Sequence, residues 1–369
     1  MTKISPLNER HDDAAASFLD YGGIPVVETF GELEAEYAAI RKGCLLLDQP
    51  TRATVTVRGG ERREFLNRML TQELADLESG QVRRTFWLNR KGRIDADIRL
   101  LELDESTLFD LDVMVVEGLL ETLGAYLFAE DVEMADDSEA WHRLALHGPT
   151  APAVLEALGI NVPAVDQVIE TTFQDATLIL DRADTTGSPG IELLVEAGHV
   201  EALHSALIDA GVEGGHRLRS GGWHAWNIAR IEAGTPIFNI DFGTNSLPHE
   251  TGVLLDRVSF TKGCYLGQEV VARMESLGHP KQRLVSIRVD DGDDGSPDLQ
   301  PVGGTGVFDP EKDEKPVGAV TSSTRSPMLG DQVICFGQVK WSHSQPGQQL
   351  RLETGVVGTV QESLPFWTP

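Results

Sequence analysis

Lysine is scarce in this chain, with 8 lysines beside 23 arginines. The 31 basic residues face 58 acidic ones, so the formal net charge is 31 minus 58, or -27. No basic stripe is long enough to neutralise a run of phosphates, which excludes general nucleic-acid binding. Cysteine is equally sparse. Cys44, Cys264 and Cys335 are odd in number and far apart, so neither a disulfide framework nor a paired-cysteine metal site is supported, and a reducing cytoplasmic setting is the simplest expectation. No apolar run approaches the roughly 18 residues of a membrane-spanning helix, and the N-terminus has no charged-then-apolar export signal. A P-loop, a nucleophile elbow and a dinucleotide fingerprint are all missing. Gly303-Gly304-Thr305-Gly306 lies in a β-rich tail with no helix after it.

What remains is an acidic, soluble composition of 369 residues, 41% hydrophobic, long enough for two or three domains. An acidic, lysine-poor surface suits a halophilic, high-salt cytoplasm, where self-repulsion is screened and carboxylates hold water. The basic residues that occur are grouped. Arg83, Arg84, Arg90, Lys91 and Arg93 form the densest cluster, a pattern that fits an anionic small ligand.

Along the chain, residues 1 to about 40 read as helical and acidic and lead into Gly43-Cys44-Leu45-Leu46-Leu47-Asp48, a short run of strand type. Thr54 to Val57 alternates as a strand, and Glu61 to Leu70 has helical spacing with Phe65, Leu66, Met69 and Leu70 inward. Thr85 to Leu88 and Ile94 to Leu100 read as strands joined by Asn89-Arg90-Lys91-Gly92, a hairpin signal. Strand Leu108 to Val113 and helix Glu117 to Phe128 follow, then helix Ala151 to Leu158 and strands Ala176 to Leu180 and Ile191 to Val195. The Asp- and Gly-rich stretch Asp290 to Pro297 lacks the terminal Glu of an EF-hand loop and reads as a solvated linker. Beyond it, short segments divided by Gly and Pro predict a small barrel or sandwich.

Lys262-Gly263-Cys264-Tyr265-Leu266-Gly267-Gln268-Glu269 is the densest chemical motif. Val258-Ser259-Phe260 reads as a buried strand before it, Val270 to Met274 as a helix after it, and Gly278 as a left-handed helix cap. A thiol there would meet the helix N-terminus and Lys262, which favours thiolate. The alternative is a buried structural cysteine in a tight turn. Two further groupings read as structural. His249, Glu250 and Asp241 have no standard metal spacing, and Trp223 and Trp226, three apart, pack one helix face.

Taken in order, several stretches resemble the glycine-cleavage T-protein (aminomethyltransferase) superfamily and its YgfZ-type folate-binding relatives. They are Gly80 to Asp97, Gly190-Ile191-Glu192-Leu193-Leu194-Val195, Arg230-Ile231-Glu232-Ala233-Gly234 and Val317 to Ser322 with Ser326-Pro327. The motif from Lys262 to Glu269 is similar to the YgfZ-type signature. This resemblance implies an α+β fold: a folate-binding body of two α/β lobes around a central cavity, over 1–280, with lobes at about 1–145 and 146–280. A C-terminal β-barrel is expected over 281–369.

The resemblance also assigns roles. Asp97 matches an active-site aspartate and Cys264 the functional thiol, while Glu192, Arg230, Arg84 and Lys262 match the cofactor side, with no metal. A reduced folate, tetrahydrofolate or a close relative, is the implied cofactor. Each residue has a plainer reading: an exposed strand carboxylate for Glu192, an ion pair with Arg93 or Arg99 for Asp97, and an internal pair with Glu232 or Asp241 for Arg230. Arg84 stands where the T-protein has a tyrosine and Trp226 where it has an arginine. The leading expectation is therefore a tetrahydrofolate-binding YgfZ-type protein that supports iron-sulfur cluster assembly or repair, with iron-sulfur client or assembly proteins as partners. Two alternatives stay open: an aminomethyltransferase of the glycine cleavage system served by a lipoyl carrier protein, and a scaffold with a vestigial folate cavity.

Overall fold

Five consecutive buried residues, Cys44–Asp48, form a strand with no exposed face, as a run of aliphatic side chains requires when both sides of a sheet are covered. This strand lies in the first of two compact units of the computed structural model, which describes residues 4–290, 300–312 and 315–367. The first unit takes the chain up to Trp87 and again Asp97–Trp226; the second takes Leu88–Ala96 and the chain from Asn227 onward.

The first unit runs α1 (Asn8–Asp13), β1 (Ser17–Tyr21), β2 (Ile24–Thr29), α2 (Leu33–Lys42), β3 (Cys44–Asp48), β4 (Arg52–Arg58), α3 (Arg62–Met69), β5 (Val82–Leu88), β6 (Ile94–Glu102) and β7 (Ser106–Asp112). It continues through α4 (Val116–Gly124), β8 (Glu133–Asp136), β9 (Trp141–His147), α5 (Ala151–Ala157), β10 (Val168–Phe173), β11 (Ala176–Arg182), β12 (Gly190–Glu196), α6 (Val200–Glu213), β13 (Leu218–Gly221) and the start of α7 (Trp223–Glu232). Two larger sheets result, ordered β10-β11-β12-β9-β3-β13 and β5-β6-β7-β4-β8. On one face of the six-stranded sheet, Leu144, Leu180 and Leu193 pack with Val154 and Leu155 of α5 and with Leu203 and Leu207 of α6. Each such side chain contributes roughly 1.5–3 kcal/mol by leaving water. Ile179 and Leu194, of opposite parity, point the other way and meet Val82, Leu101 and Leu108 of the five-stranded sheet. The two sheets therefore share an interior.

The second unit contains the rest of α7, α8 (Leu254–Arg257), α9 (Gln268–Leu277) and strands β14 (Gln282–Val289), β15 (Gly306–Phe308), β16 (Gly318–Ser326), β17 (Gln332–Lys340), β18 (Gln349–Leu352) and β19 (Val357–Val360). The six strands form a closed barrel, β14-β17-β16-β15-β18-β19, around Val285, Ile287, Val320, Cys335 and Leu350. Closure leaves no strand edge to pair with another chain. Among the described residues no helix is long and apolar enough to cross a membrane.

The mixed α/β body and the barrel agree with the expected fold. Three local readings change. The helical reading of the first 40 residues misses the hairpin β1/β2, which turns at Gly22 and Gly23, both with positive φ. Val258 to Phe260 is not a strand but follows the short helix α8. Gly278 ends α9 in an extended conformation, φ -149° and ψ -166°, not a left-handed one. The Asp-rich stretch read as a linker lies, past Asp290, outside the described residues.

Candidate functional site

Four strands of the first unit change from aliphatic to ionisable at the same level of the inter-sheet space. On β6 the change is from Leu101 to Arg99, and on β7, directly opposite, from Leu108 to Asp110. Across the space it runs from Ile179 to Asp181 on β11 and from Leu194 to Glu192 on β12, again opposite one another. One end of the shared interior is thus apolar. The other carries charge.

The charges are paired. Arg52 Nε lies 2.8 Å and Arg143 Nε 3.4 Å from Asp110 Oδ1, while Arg143 Nη1 lies 3.4 Å from Asp181 Oδ1. Arg99 pairs with Asp181 and lies 3.9 Å from Asp110 Oδ2. Burial alone would push Asp110 up, but Arg143, Arg52 and Arg99 together hold its carboxyl well below the usual range. Burial lowers Arg99 to about 10 against the pull of Asp110 and Glu192.

Glu192 is 5% exposed in the middle of β12. Gln49 Nε2 donates to its Oε2 at 2.9 Å, and Oε1 has no hydrogen bond among the described residues. Burial pushes this carboxyl up from its ordinary value, while Arg99, Arg143 and Arg52 pull it down. The result is a fixed acceptor with unused lone pairs. It is the reverse of the exposed strand carboxylate that composition alone suggests.

Asp97 is two residues before Arg99 on the same face of β6 and is half-buried. The strand is positioned by its turn. Asn89 Oδ1 accepts from the backbone N–H of Lys91 at 3.0 Å and of Arg93 at 3.2 Å, and Asn89 Nδ2 donates to Asp95 Oδ1 at 2.9 Å. Arg84 on β5 reaches Asp166 at 3.4 Å and acts electrostatically on Arg99. Asp97, Glu192 and Arg84 all belong to the first unit.

Arg230, Lys262 and Cys264 belong to the second. Arg230 is 1% exposed and its fork is engaged: Nη1 donates to Asp241 Oδ2 at 2.5 Å and to the Thr235 carbonyl at 3.2 Å, Nη2 to Ser322 Oγ at 2.6 Å, and Nε to Asn227 Oδ1 at 2.9 Å. It has the internal pairing that was its plainer reading. Glu232 accepts from Ser326 Oγ at 2.5 Å, so this segment fastens α7 to barrel strand β16. Asp241 is taken by Arg230, His249 Nε2 sits 3.3 Å from Glu275 and Glu250 accepts from the Leu247 backbone.

Cys44 and Cys335 are buried, and burial pushes both thiols up to about 12; Cys264 is exposed. It lies three residues before Gly267, the residue preceding α9. Lys262 is buried with its Nζ 5.5 Å from the centre of the Tyr265 ring. The segment is seated by close backbone approach. Gly267 has φ +81°, and a Cβ there would fall 2.7 Å from the Asn89 carbonyl oxygen and 3.1 Å from Gly92 Cα. A Cβ on Gly92, φ +69°, would fall 2.8 Å from Val270 Cβ. The cysteine motif therefore rests on the turn of the β5/β6 hairpin.

Sequence reasoning missed Gln49, Arg52, Arg99, Asp110, Arg143 and Asp181. For Arg99, Asp110 and Asp181 the signal was present as alternation, each occupying the parity that an aliphatic neighbour on its strand uses to face the interior, whereas Gln49 lies between β3 and β4 and gave none.

A family model described as the GCVT N-terminal domain matches residues 7–261, and one described as the glycine cleavage T-protein C-terminal barrel domain matches residues 282–362. An aminomethyltransferase from Pelodictyon phaeoclathratiforme is 26% identical over 99% of this chain and 99% of its own. One from Chlorobium phaeovibrioides is 27% identical over 100% of this chain and 99% of its own. The crystal structure of glycine cleavage system aminomethyltransferase T from Bartonella henselae superimposes with a TM-score of 0.88 at 25% identity, covering 100% of this chain and 99% of that one.

Proposed function

The chain belongs to the glycine-cleavage T-protein family, and from that premise we propose that it binds a reduced folate at the charged end of its inter-sheet space and acts on the one-carbon group carried there. Members of the family bind tetrahydrofolate. The observation that carries the reading is Glu192, a buried carboxylate with one oxygen held by Gln49 and the other without a hydrogen bond among the described residues. A reduced pterin presents a ring N–H beside an amino group, and a carboxylate takes both. Glu192→Gln, which replaces one of the two acceptor oxygens by a donor amide and removes the charge, is expected to weaken tetrahydrofolate binding about 10- to 100-fold in calorimetry. An unchanged affinity would sink the assignment.

Full-length likeness to aminomethyltransferases favours transfer of an aminomethyl group from a lipoyl carrier protein to folate. In that reaction Asp97 supports attack by a folate nitrogen on the aminomethyl carbon through its charge and by handling a proton. Asp97→Asn then lowers turnover while folate affinity holds. The assay is ammonia and methylene-folate formation with purified carrier protein. We assign Arg84 to the anionic tail of the folate; Arg230 and Lys262 steady the second unit.

A second reading, YgfZ-type support of iron-sulfur enzymes in a reducing, high-salt cytosol, is favoured by Cys264, an exposed thiol in a motif seated on the hairpin turn. One thiol is short of the roughly four ligands of a cluster, so any cluster contact is shared with a client protein. Absence of methylene-folate formation, combined with rescue of iron-sulfur enzyme activity by the native chain but not by Cys264→Ser, selects this reading.

A further inference from the structure

Arg99 has an arm of its guanidinium fork to spare. Nη2 pairs with Asp181 and Nε lies 3.9 Å from Asp110 Oδ2, while Nη1 has no partner among the described residues. The side chain is 10% exposed, so the head is held on two sides and open on the third. Asp181 stands directly opposite Glu192 in the β11/β12 ladder. Opposed Cβ atoms lie about 5 Å apart, which sets the Arg99 head beside the Glu192 carboxylate, and each acts electrostatically on the other.

We infer that Arg99 is a specificity residue: with Glu192 it reads a donor-donor-acceptor edge, the carboxylate taking two adjacent N–H groups and Arg99 Nη1 donating to the carbonyl oxygen next to them. This rests on the folate reading and narrows it to 4-oxo pterins, whose 2-amino group, N3–H and C4 carbonyl run in that order. A 4-amino analogue replaces the carbonyl by an amino donor and, in its neutral form, carries no hydrogen on N3, so Glu192 also loses one of its two donors. The analogue then faces the guanidinium donor to donor and leaves a largely desolvated cationic N–H unpaired. Of the neighbouring cations, Arg52 is directed at Asp110 and Arg143 at Asp110 and Asp181; Arg143 Nη2 also has no hydrogen bond among the described residues, but it is fully buried, whereas Arg99 Nη1 is not.

The test is anaerobic calorimetry with tetrahydrofolate and tetrahydroaminopterin, which differ in carrying oxygen or an amino group at position 4 and, with it, in whether N3 bears a hydrogen; the native preference reads Glu192 and Arg99 together, and its change on substitution reads Arg99 alone. The native protein is expected to prefer the 4-oxo compound by about 10- to 100-fold. Arg99→Met should shrink that preference by about tenfold or more, and Arg99→Lys, which keeps a donor cation, should retain it within about fivefold. Equal binding of both compounds by the native protein overturns the inference without any variant. So does a folded Arg99→Met protein whose preference is unchanged. Binding of neither compound overturns the folate reading itself, a result distinct from both.

Discussion

Replacing Gly267 by alanine tests how the cysteine motif is held, and the structure gives its cost in two parts. The backbone has φ +81°, a region where an L side chain costs about 1–3 kcal/mol. The new Cβ would also lie 2.7 Å from the Asn89 carbonyl oxygen, 3.1 Å from Gly92 Cα and 3.3 Å from Leu88 Cβ. Two of these are backbone atoms, so relief requires moving the hairpin turn, and overpacking of this kind costs about 1–3 kcal/mol. The sum is about 2–6 kcal/mol, a large share of the roughly 5–15 kcal/mol that holds a domain folded. Urea unfolding in molar KCl measures it. Gly263→Ala is the control, because its added Cβ meets nothing within 4 Å and should stay within about 0.5 kcal/mol of the native protein. Gly92→Ala should be costly too, and Val270→Ala in the same chain should return part of the loss by removing the Cγ1 atom 3.0 Å away, although the Cβ at 2.8 Å stays. A Gly267→Ala protein as stable as the control would refute the close seating of the motif on the turn.

Burial pushes the His147 imidazole down to about 4, so between pH 6.5 and 4 the unfolded chain binds the extra proton and stability falls as pH falls, by up to about 1.4 kcal/mol per unit. His204, also lowered to about 4, adds to the slope with the same sign; His147→Asn should remove one proton's worth from unfolding curves at pH 6.5 and 5, and an unaltered slope would contradict it. Asp241→Ala leaves Arg230 as a buried cation without its carboxylate and should cost about 3–5 kcal/mol by chemical denaturation, a near-neutral result arguing that water reaches the pair. With a net charge of -27, the melting temperature is expected to rise from low to molar KCl; a flat response would remove the high-salt adaptation.

The hairpin β5/β6 was legible because its signals are local: two alternating strands and an Asn-to-Gly turn within about twenty residues. The barrel was legible for the same reason, although β14 and β19, which close it, pair across the whole domain and gave no local sign of doing so. The β1/β2 hairpin was hidden by an acidic, helix-compatible composition in which Gly22-Gly23 alone marks the turn. Glu192 and Asp97 were found through the resemblance, whereas the pairs that surround Glu192 were not. Arg99 and Asp181 are 82 residues apart in number and Arg143 and Asp110 are 33 apart, and a sequence read strand by strand treats each as a solvated charge. Arg230 is the converse case: its own neighbourhood supplies Asp241, Thr235 and Asn227, so its pairing was readable nearby.

The contact between Gly92 and Val270 spans 270 minus 92, or 178 residues. During synthesis at about 5–20 residues per second, that interval amounts to about 9–36 s. The hairpin turn must wait that long for its cover, and the cysteine loop can take its seat only on a turn made much earlier. Cys264 thus becomes one of the later pieces of the chain to be set, and its reactivity in a nascent or truncated protein would report whether two distant stretches have found each other.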